Sequence, residues 1–97
     1  MTQVQVKLAP NAVFFYGDTK ATALKHYDQY TILPVMQLHC FHSEEEAAEE
    51  LFDLTNNPSR QEERIRTYGN GKSISVGDIV NVDGVDFLCM SAGWEEL

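Results

Sequence analysis

The chain has 97 residues, 43% of them apolar, two cysteines and a net charge of −8. This length supports one domain over residues 1–97 with a modest core, and the apolar share excludes wholesale disorder. No run of about 18 apolar residues occurs, which excludes a membrane-spanning helix, and the acidic excess argues against ordinary nucleic-acid binding, which needs cations to displace counterions.

The charge is unevenly placed. Residues 1–42 carry three lysines against two aspartates, +1, whereas residues 43–97 carry four basic against thirteen acidic residues, −9. Such a surface suits a partner with a basic face; the simpler reading is a solvated face that favours solubility. The opening MTQVQVKLAP has no basic segment ahead of an apolar one, so no signal peptide is expected. Cys40 and Cys89 lie in apolar stretches and are expected to be reduced core thiols of a cytoplasmic protein.

Val4, Val6 and Leu8 alternate with Gln3, Gln5 and Lys7, the pattern of a half-buried strand. Pro10 and Asn11 break it, and the apolar run at 12–16 suggests a hairpin with the first strand. Asp18 or Thr19 then suits the cap of a short helix through about Tyr27. The stretch 30–41, YTILPVMQLHCF, is the most hydrophobic and rich in strand formers. Pro34 cannot donate to a ladder, so it marks an edge or an irregular start, with 35–41 the ordered part.

Residues 43–55 read as the main helix. Ser43 with Glu46 forms a capping-box pattern, and Glu44, Glu45 and Glu46 fall in the first turn, where the helix dipole favours anions. Ala47, Leu51 and Leu54, with Ala48 and Phe52, make the buried stripe, while Glu45, Glu49 and Asp53 point outward. Asn56, Asn57 and Pro58 end the helix. Ser59 with Glu62 repeats the capping pattern and suits a second short helix to about Arg66, with only Ile65 and Tyr68 to bury.

Residues 73–97 carry the clearest signal. Asp83-Gly84 suits a two-residue type I′ turn between two strand-like runs. That turn sets Val82 opposite Val85, Val80 opposite Phe87 and Asp78 opposite Cys89, and gathers Val80, Val82, Val85, Phe87 and Cys89 on one face. Asn81 and Asp86 lie on the other face, with Ile79 and Leu88 as its apolar pair. Gly77-Asp78 reads as a turn or bulge and Gly93 as a bend that re-aims Trp94.

Chemical motifs are few. GNGKS at 69–73 looks like the end of a phosphate-binding loop, but Arg66 stands where that motif requires glycine, and a strand-like run follows in place of a helix. Cys40, His42 and Cys89, with His39 nearby, are the zinc-ligand alternative, although no CxxC spacing occurs. The carboxylates at 44–53 are more simply a solvated face than an acid/base pair, which needs a cleft and unequal environments. Trp94 with Tyr68 and Phe87 is either a ligand-contacting aromatic patch or, more simply, core packing at the sheet end.

The pattern SxSVGDxVxVDGxxF followed by Gly93-Trp94 resembles the YodL-like domains and related small proteins of phages, plasmids and conjugative elements. The likeness covers the last quarter of the chain well and the middle loosely. It implies a mobile-element setting and supplies no catalytic residue, metal or cofactor. The expected fold is α+β, an antiparallel sheet of about four or five strands with the 43–55 helix on one face. The expected function is a non-enzymatic interaction module that needs no cofactor and binds a host or mobile-element protein with a basic surface. Glu45, Glu49 and Asp53 are its expected contacts, with Tyr68 and Trp94 as the second surface. The alternative is a small-ligand or zinc-binding domain, or a minor enzyme, that uses His39, Cys40, His42 and Cys89.

Overall fold

The computed structural model describes residues 2–10, 18–39, 43–69 and 71–97. Asp83 and Gly84 both take positive φ, 49° and 92°, as a type I′ turn demands. They join β4 (Ile79–Val82) to β5 (Val85–Cys89). The register is the expected one: Val82 pairs with Val85, Val80 with Phe87, Asn81 with Asp86 and Ile79 with Leu88. At the hairpin's open end the Gly77 N–H donates to the Cys89 carbonyl and the Cys89 N–H to the Asp78 carbonyl, both at 2.9 Å. Two residues thus face one, a bulge that Gly77 permits through its φ of 95°.

The first strand, β1 (Thr2–Leu8), lies inside the sheet. One edge pairs with β4, Val4 opposite Val82 and Val6 opposite Val80. The other pairs with β2 (Thr31–Ile32) and β3 (Met36–Leu38). The expected partner at 12–16 lies outside the described residues, and β1 has neighbours on both sides without it. Leu8 opposes Thr31, yet Val4 opposes Met36, so the register slips by one residue across Pro34. A proline that cannot donate is accommodated at such an irregularity on an outer strand. Beyond β5, the bend at Gly93 (φ 84°) returns the chain as β6 (Trp94–Glu96), with Trp94 opposite Cys89. The sheet is antiparallel throughout, in the order β2 and β3, β1, β4, β5, β6. Among the described residues it has six strands, more than expected, because Pro34 divides one run and the tail adds another.

Helix α2 (Glu44–Asn56) covers one face. The Ser43 hydroxyl accepts the Glu46 N–H at 3.2 Å, so the hydroxyl half of the predicted box forms. Ala47, Ala48, Leu51 and Leu54 pack on Val4, Val6, Val80, Val82, Phe87 and Cys89. Phe52 and Val85, expected inside, are only half-buried at the rim of this cluster.

The opposite face is also covered, which the one-faced expectation missed. Asp18 caps α1 (Thr19–Lys25) by accepting the Ala21 N–H at 3.0 Å. Ala23 of α1 and Tyr30 close over Ile79 and Leu88, forming a second small core. The polar half of that face is a network. Asp86 accepts from Asn81 at 2.8 Å and from the Tyr27 hydroxyl, while Lys7 reaches Tyr27 at 2.7 Å and Asp86 at 3.1 Å. Burial opposes the Asp86 charge, but hydrogen bonds from Tyr27, Asn81 and Lys7 outweigh it and hold its carboxyl below the ordinary range. Burial likewise opposes the Lys7 charge, and its bonds to Tyr27 and Asp86 hold it above the ordinary value.

The connector from α2 departs from expectation. Ser59 caps nothing; Asn57 accepts the Ser59 N–H and hydroxyl at 3.0 and 2.8 Å, opening a 3-10 turn at Pro58–Arg60. Helix α3 (Gln61–Thr67) follows without a side-chain cap. Ile65, expected to be buried, is 51% exposed. The helix is held by Arg64 instead, whose guanidinium donates to the Thr55 carbonyl at 2.9 Å, to Ser73 Oγ at 3.0 Å and to the Gly71 carbonyl.

Asp78 is 1% exposed. Its carboxylate accepts the Ala9 N–H at 2.8 Å, the Ser75 N–H at 2.9 Å and the Lys72 ammonium at 2.9 Å. Asp78→Ala leaves two backbone donors without their acceptor and is expected to cost about 2–6 kcal/mol in urea unfolding, at 1–3 for each orphaned group. Lys72→Met keeps both backbone bonds and should cost less; equal losses would show that the ion pair, not the backbone anchoring, matters. Phe87→Ala is expected to cost roughly 3–5 kcal/mol, whereas Ile65→Ala should stay within about 0.5 kcal/mol of the parent.

Candidate interaction surface

Helix α2 carries Glu44, Glu45, Glu46, Glu49, Glu50 and Asp53 and no basic residue. Glu45, Glu49 and Asp53 are exposed, as expected from their spacing opposite the apolar stripe. The carboxylates that line one shallow groove, of about 410 Å³, are Glu46, Glu49, Glu50 and Asp53. These follow the i, i+3, i+4, i+7 spacing of one helix face, so the acidic stripe is centred one step from the expected one.

Arg60 anchors the far end of this stripe. Its guanidinium forks onto both oxygens of Glu50 at 2.8 and 2.9 Å, reaches Asp53 at 2.8 Å, and closes on Glu63 at 2.9 and 2.8 Å. The hydrogen bonds from Arg60 hold the Glu63 carboxyl below its ordinary range. Asp53 is therefore tied to an intramolecular cation. The Glu63 contact was visible as an i, i+3 pair; the Glu50 and Asp53 contacts require the chain to double back after Pro58.

The near end is joined to the tail. The Trp94 indole N–H donates to Glu49 Oε2 at 2.8 Å. The indole meets Phe52 edge-on, with ring centres 6.3 Å apart at 86°. Glu49, Phe52, Cys89, Met90, Ser91, Gly93 and Trp94 enclose a cleft of about 230 Å³. Two surfaces that the sequence presented as separate thus meet at Glu49.

Tyr68 does not extend this patch. Its hydroxyl donates to the Lys72 carbonyl at 2.6 Å, and Arg64 lies 5.7 Å from its ring centre. It fastens the end of α3 to the following loop. Lys72, the lysine of GNGKS, is engaged by Asp78 and Ser75, and the loop leads into a strand, as the rejection of a phosphate site required.

For the zinc alternative, Cys40 and His42 lie outside the described residues. His39 is exposed just past β3, whereas Cys89 is buried under α2. Among the described residues no three His, Cys, Asp or Glu side chains come together to hold a metal. Burial, with the nearby Asp78 and Glu49 charges, pushes the Cys89 thiol up to about 11, which disfavours the thiolate that metal binding or nucleophilic attack needs. No helix among the described residues is long and apolar enough to cross a membrane.

No family model matches this chain, and no curated protein or solved structure matches it either.

The groups with shifted titration shape stability against pH. The lowered Asp86 and Glu63 values give stability that is complete above the ordinary carboxyl range of about 4 and is lost as pH falls through the folded values. Cys89, raised to about 11, and Tyr30, raised to about 12 mainly by burial, stay protonated in the fold after the unfolded chain has ionised. Their effect is a loss of stability as pH rises from about 8.5. Denaturation midpoints across pH should show a plateau between these arms. Cys89→Val should move the alkaline onset towards the tyrosine value of about 10; an unmoved onset would remove Cys89 as its cause.

Proposed function

We propose that this protein is a non-enzymatic interaction module of a phage or plasmid, acting in the cytoplasm by binding a host or mobile-element protein with a basic surface. Blocking a host defence factor is the form we favour, with the α2 carboxylates standing in for nucleic-acid phosphates. The observation that carries this reading is a helix with six carboxylates and no cation, of which, among the described residues, Glu50 and Asp53 alone are paired with a lysine or arginine, Arg60. Glu44, Glu45, Glu46 and Glu49 remain exposed. The resemblance of the last quarter to YodL-like domains supports the setting. Attraction of this kind is long-ranged, screened by salt and expressed mainly in the on-rate.

The structure refines the test. Charge reversal at Asp53 would place a lysine against Arg60, and reversal at Glu49 would remove the indole's acceptor. The triple change Glu45→Gln, Glu46→Gln and Glu49→Gln removes three charges while leaving amide oxygens as acceptors. The variant should keep a near-parent melting temperature and lose partners that the parent captures from host lysate. For a captured partner, the on-rate should fall with added salt. Identical partner lists from the two proteins would overturn the acidic-face reading.

A further inference from the structure

The cleft at Trp94 has a mixed lining. Trp94 and Phe52 supply aromatic surface, Cys89 and Met90 add sulfur-bearing side chains, and the exposed Glu49 supplies a carboxylate. Glu49 also lines the carboxylate groove with Glu46, Glu50 and Asp53, so the cleft opens onto the acidic stripe. At about 230 Å³ it is smaller than the roughly 300–1,000 Å³ of sites that hold a drug-sized ligand, and suits a single side chain. Among the described residues no lysine or arginine pairs with Glu46 or Glu49. Arg60, the cation of this stripe, is occupied at its far end.

Charge complementarity calls for a cation, and the aromatic surface selects its type. An ammonium is a strongly hydrated point charge. A guanidinium is planar and weakly hydrated, stacks on an indole and forks onto a carboxylate. The indole N–H occupies Glu49 Oε2 and holds that carboxylate beside the ring. We infer that this cleft receives one arginine side chain of the basic partner, stacked on Trp94 and bonded to Glu49. The inference rests on the acidic-face reading and adds the partner's anchoring chemistry to it.

Trp94 is the chain's single tryptophan, so its fluorescence reports the cleft directly. The probe is a short dye-labelled basic peptide with one arginine at the centre of a lysine run, compared with versions carrying lysine or citrulline there. Peptide binding is followed by anisotropy and the cleft by Trp94 emission. The arginine peptide should change the emission saturably, the lysine peptide less, and the citrulline peptide not at all. Glu49→Gln should weaken the arginine peptide's binding roughly tenfold, as expected for loss of a charged hydrogen-bond partner; Glu62→Gln, on exposed α3 surface, should leave it unchanged. Salt-sensitive binding of all three peptides with equal or no change in Trp94 emission would overturn the arginine cleft and leave the acidic face standing. Absence of binding by any of the peptides would overturn both.

Discussion

A single buried carboxylate fastens the end of the first strand and the loop after α3 to the start of the C-terminal hairpin. Asp78 follows the bulge at Gly77, where the C-terminal hairpin begins. One oxygen takes the Ala9 N–H just past β1, and the other takes Ser75 and Lys72 from the loop that leaves α3. The adjacent Gly77 carbonyl accepts the Tyr30 hydroxyl, which brings in the segment after α1. An isolated buried charge is costly; one surrounded by donors is stable only while those donors stay in place. The position of the first strand, the closing of the second core and the start of the hairpin are therefore coupled at the Gly77-Asp78 step.

Local chemistry was legible from the sequence, and long-range pairing was not. Asp83-Gly84 admits few turns, so the register of β4 and β5 could be stated residue by residue. Ser43 and the apolar stripe from Ala47 to Leu54 likewise define α2 without reference to anything distant. The placement of β1 between β4 and the Pro34 strands depends on which edges meet, and alternation within β1 carries no such information. Ile79 and Leu88 were visible as an apolar pair, but nothing local showed that Ala23 and Tyr30 would cover them. The helix after Pro58 falls where the sequence places it but for another reason: the Ser59 box does not form, since Asn57 accepts both the Ser59 N–H and hydroxyl, and Arg64, rather than Ile65, attaches the helix.

The candidate surface divides in the same way. Exposure of Glu45, Glu49 and Asp53 follows from helical spacing. Their inequality does not, because it arises from Arg60 at one end and Trp94 at the other. The indole lies 45 residues from its acceptor, a separation at which composition and periodicity are silent. The consequence is chemical: the acidic run is a graded surface, with neutralised carboxylates at one end and a carboxylate held against an aromatic ring at the other.

The Pro34 irregularity also bears on how these molecules behave in a crowd. Among the described residues the sheet ends at β2 and β3 on one side and at β6 on the other. Open strand edges are templates on which a further strand can add, and aggregation often begins there. Here the first edge is interrupted by a residue with no N–H to offer, and the second is three residues long with Glu95 and Glu96 among them. Stacking copies edge to edge would bring like charges together at β6 and mismatched ladders at β2 and β3. Among the described residues the two sheet edges thereby discourage the addition of further strands.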